Sequence, residues 1–89
     1  METEVLVEEK VKEQIKDLNE IILYNDDVNT FDWVIESLIE VCEHDPLQAE
    51  QCTVLVHYKG KCGVKTGEYN ELEPICSALL ERGLSAEIT

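Results

Sequence analysis

The chain has 89 residues, of which 44% are hydrophobic, and its twenty Asp and Glu against seven Lys and Arg give a formal net charge of −13. That length holds one small domain with a core of limited depth. The charge excludes electrostatic binding to nucleic acid or to an anionic membrane surface and points toward a cationic partner.

The first residues alternate acids with lysines, and Val11, Ile15 and Leu18 fall at helical spacing. The stretch is too polar and too short to be stable as a helix by itself, so residues 1–19 are expected to form a flexible acidic tail and 20–89 the folded domain. Ile21 to Tyr24 has strand composition and stops at Asn25-Asp26, a turn signal. Phe31, Val34, Ile35, Leu38, Ile39 and Cys42 then recur with the period of an amphipathic helix. Asn29 or Thr30 can cap it, with Asp32 facing the dipole in its first turn.

Asp45, Pro46 and Gln48 read as N-cap, N1 and N3 of a second helix, expected to reach Val56 or His57. The run Thr53-Val54-Leu55-Val56 inside it also has strand propensity. Gly60 breaks the chain before a strand over Lys61–Thr66. A third helix, Asn70 to Arg82, buries Leu72, Ile75, Cys76, Leu79 and Leu80; Pro74 moves its regular part toward a start at Pro74, and Gly83 stops it. Leu84–Ile88 is a last short strand. The order β-α-α-β-α-β gives a single α+β sandwich, a three-stranded antiparallel sheet with its helices on one face.

The chemistry-bearing residues are few. Cys42, Cys52, Cys62 and Cys76 form no C-x-x-C pair and each lies in an apolar pattern, as reduced core cysteines do. Cys42 and His44 fall two ligands short of a zinc site, so neither a metal nor a cofactor is expected. An enzyme would need Cys52 or Cys62 activated near His57, yet no nucleophile–base–orienter order stands out, and acidic surroundings raise a thiol pKa. No run approaches the roughly 18 apolar residues of a membrane span, and the start lacks a secretion signal, so a cytoplasmic protein is expected.

Asn25-Asp26-Asp27 is open to two readings. Turn chemistry alone explains most such clusters. Equally, short polar side chains leaving a strand end converge where a ligand could be held. His57, at the edge of the apolar run "VLVHYKG", is likewise either structural or functional.

The order of motifs resembles the Clp protease adaptor family, ClpS. The residues that carry the resemblance are "LYNDDVNTFDWVIESLIEVC", then "AEQCTVLVHYKGKCGV", then a helix and a short strand, over Ile21 to Ile88. The family signature is Asn-Asp-Asp after the first strand, Thr-Pro-Met before the first long helix, and V-H-x-x-G followed by C-G-V. The resemblance implies a monomeric, non-enzymatic adaptor that grips the free N-terminal residue of N-degron substrates beginning with Leu, Phe, Tyr or Trp. It would deliver them to a ClpA- or ClpC-like AAA+ unfoldase, with the N-terminal tail serving delivery. Carried onto this chain, Asn25, Asp26 and His57 would hold the α-ammonium group, Asp26 being exposed in the free protein. Phe31, Val34, Thr53, Val56 and Leu84 would form the hydrophobic pocket.

The chain departs from the pattern in places. Asn29-Thr30-Phe31 replaces Thr-Pro-Met, Thr53 stands where a Met is common, and the segment from His57 to Cys62 is about two residues shorter. Glu73 falls near a position where relatives carry a docking Lys. A second reading keeps the fold and changes the job, as in the factor-docking domain of the ribosomal stalk; that domain is rich in Lys, Ala and Gly, and this chain is not.

Overall fold

The computed structural model describes residues 18–89. Its elements are β1 (Asn19–Tyr24), α1 (Phe31–Cys42), α2 (Pro46–Lys59), β2 (Lys61–Gly67), α3 (Tyr69–Glu81) and β3 (Ser85–Ile88). Strand β1 is central, and β2 and β3 flank it, both antiparallel. Ile21 and Leu23 are fully buried while Ile22 and Tyr24 are half-buried, so one face of the sheet carries the core and the helices pack there. The tail expected over 1–19 falls mostly outside the described residues. Asn19, its last member, already pairs with Gly67 and donates its side-chain amide to the Thr89 carbonyl at 3.0 Å.

Two helix starts follow their sequence signals. Thr30, one of the two candidate caps, accepts from the Trp33 N–H at 3.2 Å. Asp45 accepts from the Gln48 N–H at 2.8 Å, and Pro46 occupies N1, where its missing donor costs nothing. Helix α2 runs on to Lys59, past the expected end at Val56 or His57. Its terminator is Gly60, at φ 90°, whose N–H bonds back to the Val56 carbonyl. The β-prone run is helical because Ala49, Cys52, Thr53 and Val56 form the buried stripe. A strand would instead have pointed Thr53 and Leu55 to one side.

Pro74 lies inside α3, which starts at Tyr69 rather than near the proline. Proline removes the bond to the Asn70 carbonyl, and Asn70 is exposed, where solvent can satisfy the carbonyl. The helix ends in a Schellman arrangement: Leu84 N–H to Leu79 carbonyl at 3.1 Å, Gly83 N–H to Leu80 carbonyl at 3.0 Å, with Gly83 at φ 85°. Strand β2 is not a simple alternation either. Ile21 faces Lys65 and Ile22 faces Gly63, so Val64 is an extra, buried residue at a bulge.

The four cysteines are free; Cys42, Cys52 and Cys76 are buried and Cys62 is half-buried. Burial pushes the Cys42 thiol up to about 11. Burial, with a hydrogen bond to Cys62, takes Cys52 to about 12. Neither supplies a thiolate at neutral pH. His44 is buried, its Nε2 donating to the Val64 carbonyl at 2.6 Å. Among the described residues no group of three or more His, Cys, Asp or Glu is arranged to hold a metal. No described helix is long and apolar enough to cross a membrane.

Candidate functional site

Where β1 ends, the chain must turn from the sheet into α1, and six residues, 25–30, make that turn above the exposed end of α2. The Asn25 N–H donates to the Gly60 carbonyl at 2.9 Å, which ties the loop to the glycine that closes α2 and sets Asn25 beside the His57 end of that helix. The space enclosed is a cavity of about 300 Å³ lined by the loop, the first turns of α1, the last turns of α2 and Leu84.

All eight residues singled out from the sequence line this one cavity. Val34, Thr53, Val56 and Leu84 are buried and make its floor, with Leu23 behind them. The Thr53 hydroxyl donates to the Ala49 carbonyl at 2.8 Å, so its one donor is already engaged. Phe31 is 43% exposed and stands at the mouth, edge-on to the His57 ring with centroids 5.1 Å apart. Tyr58 meets the same imidazole from another side, at 4.9 Å. The imidazole thus contacts two aromatic rings, each edge-on. Among the described residues no Lys or Arg lines the cavity.

Asp26 differs from expectation. Its side chain is half-buried rather than exposed. Oδ1 accepts from the N–H groups of Val28 and Asn29 at 3.1 and 3.0 Å, and the Asn29 amide reaches both oxygens at 2.9 Å. Desolvation raises its pKa, but the bonds from Asn29, Val28 and Ser85 outweigh it and hold the carboxyl below the usual range. The carboxylate therefore knits the loop, an Asx-type turn. Asp27, part of the acidic cluster but not among the residues carried over from the family, lines the cavity, is exposed, and accepts no hydrogen bond among the described residues. The signal for it was present: it is the third member of Asn25-Asp26-Asp27. Asn29 was visible only as one of two candidate caps. With Thr30 taking the cap, its side chain is free to bind elsewhere.

A family profile described as "ATP-dependent Clp protease adaptor protein ClpS" matches residues 14–87. The ATP-dependent Clp protease adapter protein ClpS of Nitratidesulfovibrio vulgaris is 39% identical over 72 residues, covering 79% of this chain and 70% of that protein. The protein of the same name from Escherichia coli O127:H6 is 39% identical over 75 residues, covering 80% and 71%. Among solved structures, Agrobacterium tumefaciens ClpS2 bound to L-phenylalaninamide superposes with a TM-score of 0.71 at 21% identity, over 82% of this chain and 98% of that one.

Proposed function

The chain belongs to the ClpS family of Clp protease adaptor proteins, which are not enzymes and work with a Clp AAA+ partner, and from that premise we propose that the cavity seats the free N-terminus of an N-degron substrate. The observation that carries this is the cavity's division into a rim of hydrogen-bond acceptors and an apolar floor, with no Lys or Arg among the described residues that line it. The factor-docking alternative falls with the family match over residues 14–87.

An α-ammonium brings three donors and one positive charge. Asn25 offers a carbonyl oxygen, His57 an imidazole nitrogen in its neutral form, and Asp27 an unengaged carboxylate. Asp26 adds its charge and what remains of Oδ2, since Oδ1 already takes three donors. Each charge-assisted bond contributes about 1.5–3 kcal/mol, and burying a Leu or Phe side chain about 1.5–3 kcal/mol more. After the cost of association, a Kd on the order of micromolar results, which suits an adaptor that must release its cargo. A volume of about 300 Å³ is at the small end for ligand sites and takes one side chain.

The first residue would then be Leu, Phe, Tyr or Trp, with Phe31 at the mouth setting their order. Agrobacterium ClpS2 was solved bound to L-phenylalaninamide, an aromatic amino-acid amide, which supports this reading. The protein would act in the cytoplasm as a monomer alongside a ClpA- or ClpC-like unfoldase. Delivery is assigned to the acidic N-terminal segment: a chain lacking residues 1–17 should bind peptide as the full chain does and fail to promote its degradation.

Acetylation tests the seat directly. Blocking the amine of a Leu-initiated peptide removes both charge and donors, with an expected loss of ~3 kcal/mol or about two orders of magnitude in affinity. Equal affinity for the two peptides in a calorimetric titration sinks the N-terminus reading.

A further inference from the structure

We propose that Asn29 is a positioning residue of this site: its side-chain amide ties the acidic loop to the turn that carries Leu84 and so fixes the acceptor rim over the apolar floor. The inference rests on the cavity's proposed use as a seat for a free N-terminus.

The Asn29 Nδ2 has two hydrogens, and three acceptors surround it. Both Asp26 oxygens lie at 2.9 Å, and the Gly83 carbonyl, 54 positions along the chain, also lies at 2.9 Å. Every group facing that nitrogen is an acceptor, so only a double donor satisfies the place. A Ser or Thr hydroxyl has one hydrogen and could serve one side; a carboxylate has none and would repel both.

The two ends of this bridge matter separately. At one end, Asp26 is held as the cap of the Val28 and Asn29 N–H groups, which leaves Asn25 and Asp27 on the cavity side of the loop. At the other, Gly83 sits in the left-handed conformation that closes α3, and its carbonyl carbon is bonded to the nitrogen of Leu84, a floor residue only 4% exposed. Trp33 helps from one residue upstream, its Nε1 donating to the Arg82 carbonyl at 2.9 Å. Asn29 joins that turn to the acidic loop through its own side chain, and Ser85, just past Leu84, adds a hydrogen bond to the Asp26 carboxylate. Its bonds also contribute to the low pKa of Asp26, and so keep that carboxylate ionised as a cap.

The test uses the full chain and a Leu-initiated peptide with a free or acetylated N-terminus, titrated by fluorescence anisotropy. Asn29→Asp adds a negative charge near the rim. If charge alone mattered, it would tighten binding of the ammonium. Positioning predicts the reverse, a loss of about tenfold or more at pH 7.5, the order expected when one charge-assisted bond is misplaced. It further predicts that affinity relative to the parent recovers toward pH 5, where a proton shared between the introduced carboxyl and Asp26 restores a donor. Asn29→Ala should lose about as much and recover nothing. Thermal melting checks that each variant is folded.

Should Asn29→Asp not fold, Asn29→Thr decides, together with NMR titration of the Asp26 carboxyl: weakened binding and a raised Asp26 pKa are expected. Parent-like or tighter binding by the folded variants, with the parent still rejecting the acetylated peptide, overturns the role of Asn29 alone. Equal binding of both peptides by the parent removes the seat itself, and this inference with it.

Discussion

Two short acidic connections lead into helices in this molecule, 25–30 before α1 and 43–45 before α2, and each has a histidine close by. In the second, most of the polar groups serve the fold, although the buried His44 Nδ1 has no hydrogen-bond partner among the described residues. Glu43 takes the left-handed conformation that ends α1, Asp45 caps Gln48, and His44 is buried with Nε2 on the Val64 carbonyl. In the first, Thr30 and Asp26 do the same structural work, yet Asn25, Asp27 and His57 remain facing an apolar hollow. The first turn differs in having acceptors that the fold leaves facing an apolar floor, which is what the proposed seat requires. Residue type alone does not make that distinction.

The contrast breaks most easily at the histidines. His44→Ala removes a buried ring and its bond to Val64 and should destabilise the domain by about 2–4 kcal/mol in chemical denaturation, leaving the affinity of the folded fraction unchanged. His57→Ala should leave the unfolding midpoint near the parent's and cost about 1.5–3 kcal/mol of peptide affinity. The aspartates repeat the pattern more gently: Asp27→Ala acts on binding, whereas Asp45→Ala loses a cap worth about 1 kcal/mol of stability. Binding loss in His44→Ala without destabilisation, or unfolding in His57→Ala, would show that the two connections are not different in kind.

The sequence carries this difference only in part. The helices are legible because their buried stripes repeat at helical spacing, and because Asp45-Pro46 and Gly60 punctuate the chain. The pocket residues are legible because Val34, Thr53 and Val56 lie on those stripes and His57 just beyond one. Three features are not legible. The tolerance of Pro74 depends on Asn70 facing water, and the bulge at Val64 depends on pairing with a strand over 40 residues earlier. That Asp26 is taken up by the loop while Asp27 is left facing the cavity depends on where the Asn29 amide goes, which a residue over 50 positions later helps decide. The first depends on which face of α3 meets solvent and the other two on contacts distant in sequence, and none of these is contained in local propensity.

Phe31 sharpens the comparison at the mouth. It packs edge-on against His57, so the entrance is stiffer than one built from an unbranched, adaptable side chain. Peptides beginning with Leu or Phe should bind above Trp, and those beginning with Ile or Val should be rejected. Phe31→Met should broaden acceptance, and Phe31→Ala should admit β-branched residues at a general cost, with changes of about 1–3 kcal/mol per substrate. A panel of peptides differing only in the first residue reads this out. If every first residue responds equally, Phe31 does not select among them.

The smallest effect concerns Asp26, which fastens the loop and lines the proposed seat. Its carboxyl titrates below the usual range in the folded protein because donors from Asn29, Val28 and Ser85 outweigh the desolvation that opposes them. A folded-state pKa below that of the unfolded chain, about 3.9 for Asp, stabilises the fold at pH values above that figure. The contribution fades as pH falls through the folded-state value. Between pH 5 and pH 2 the parent should therefore lose stability more steeply than Asp26→Asn, which has no carboxyl to protonate at this position. Other carboxyls titrate in the same window in both proteins, so the difference between the two urea-denaturation series is the quantity that counts. A gap that closes as pH falls means the ionised carboxylate fastens the loop. Parallel curves would mean that the turn is held by its backbone and by Asn25 on Gly60, with the charge of Asp26 free to serve the ammonium alone.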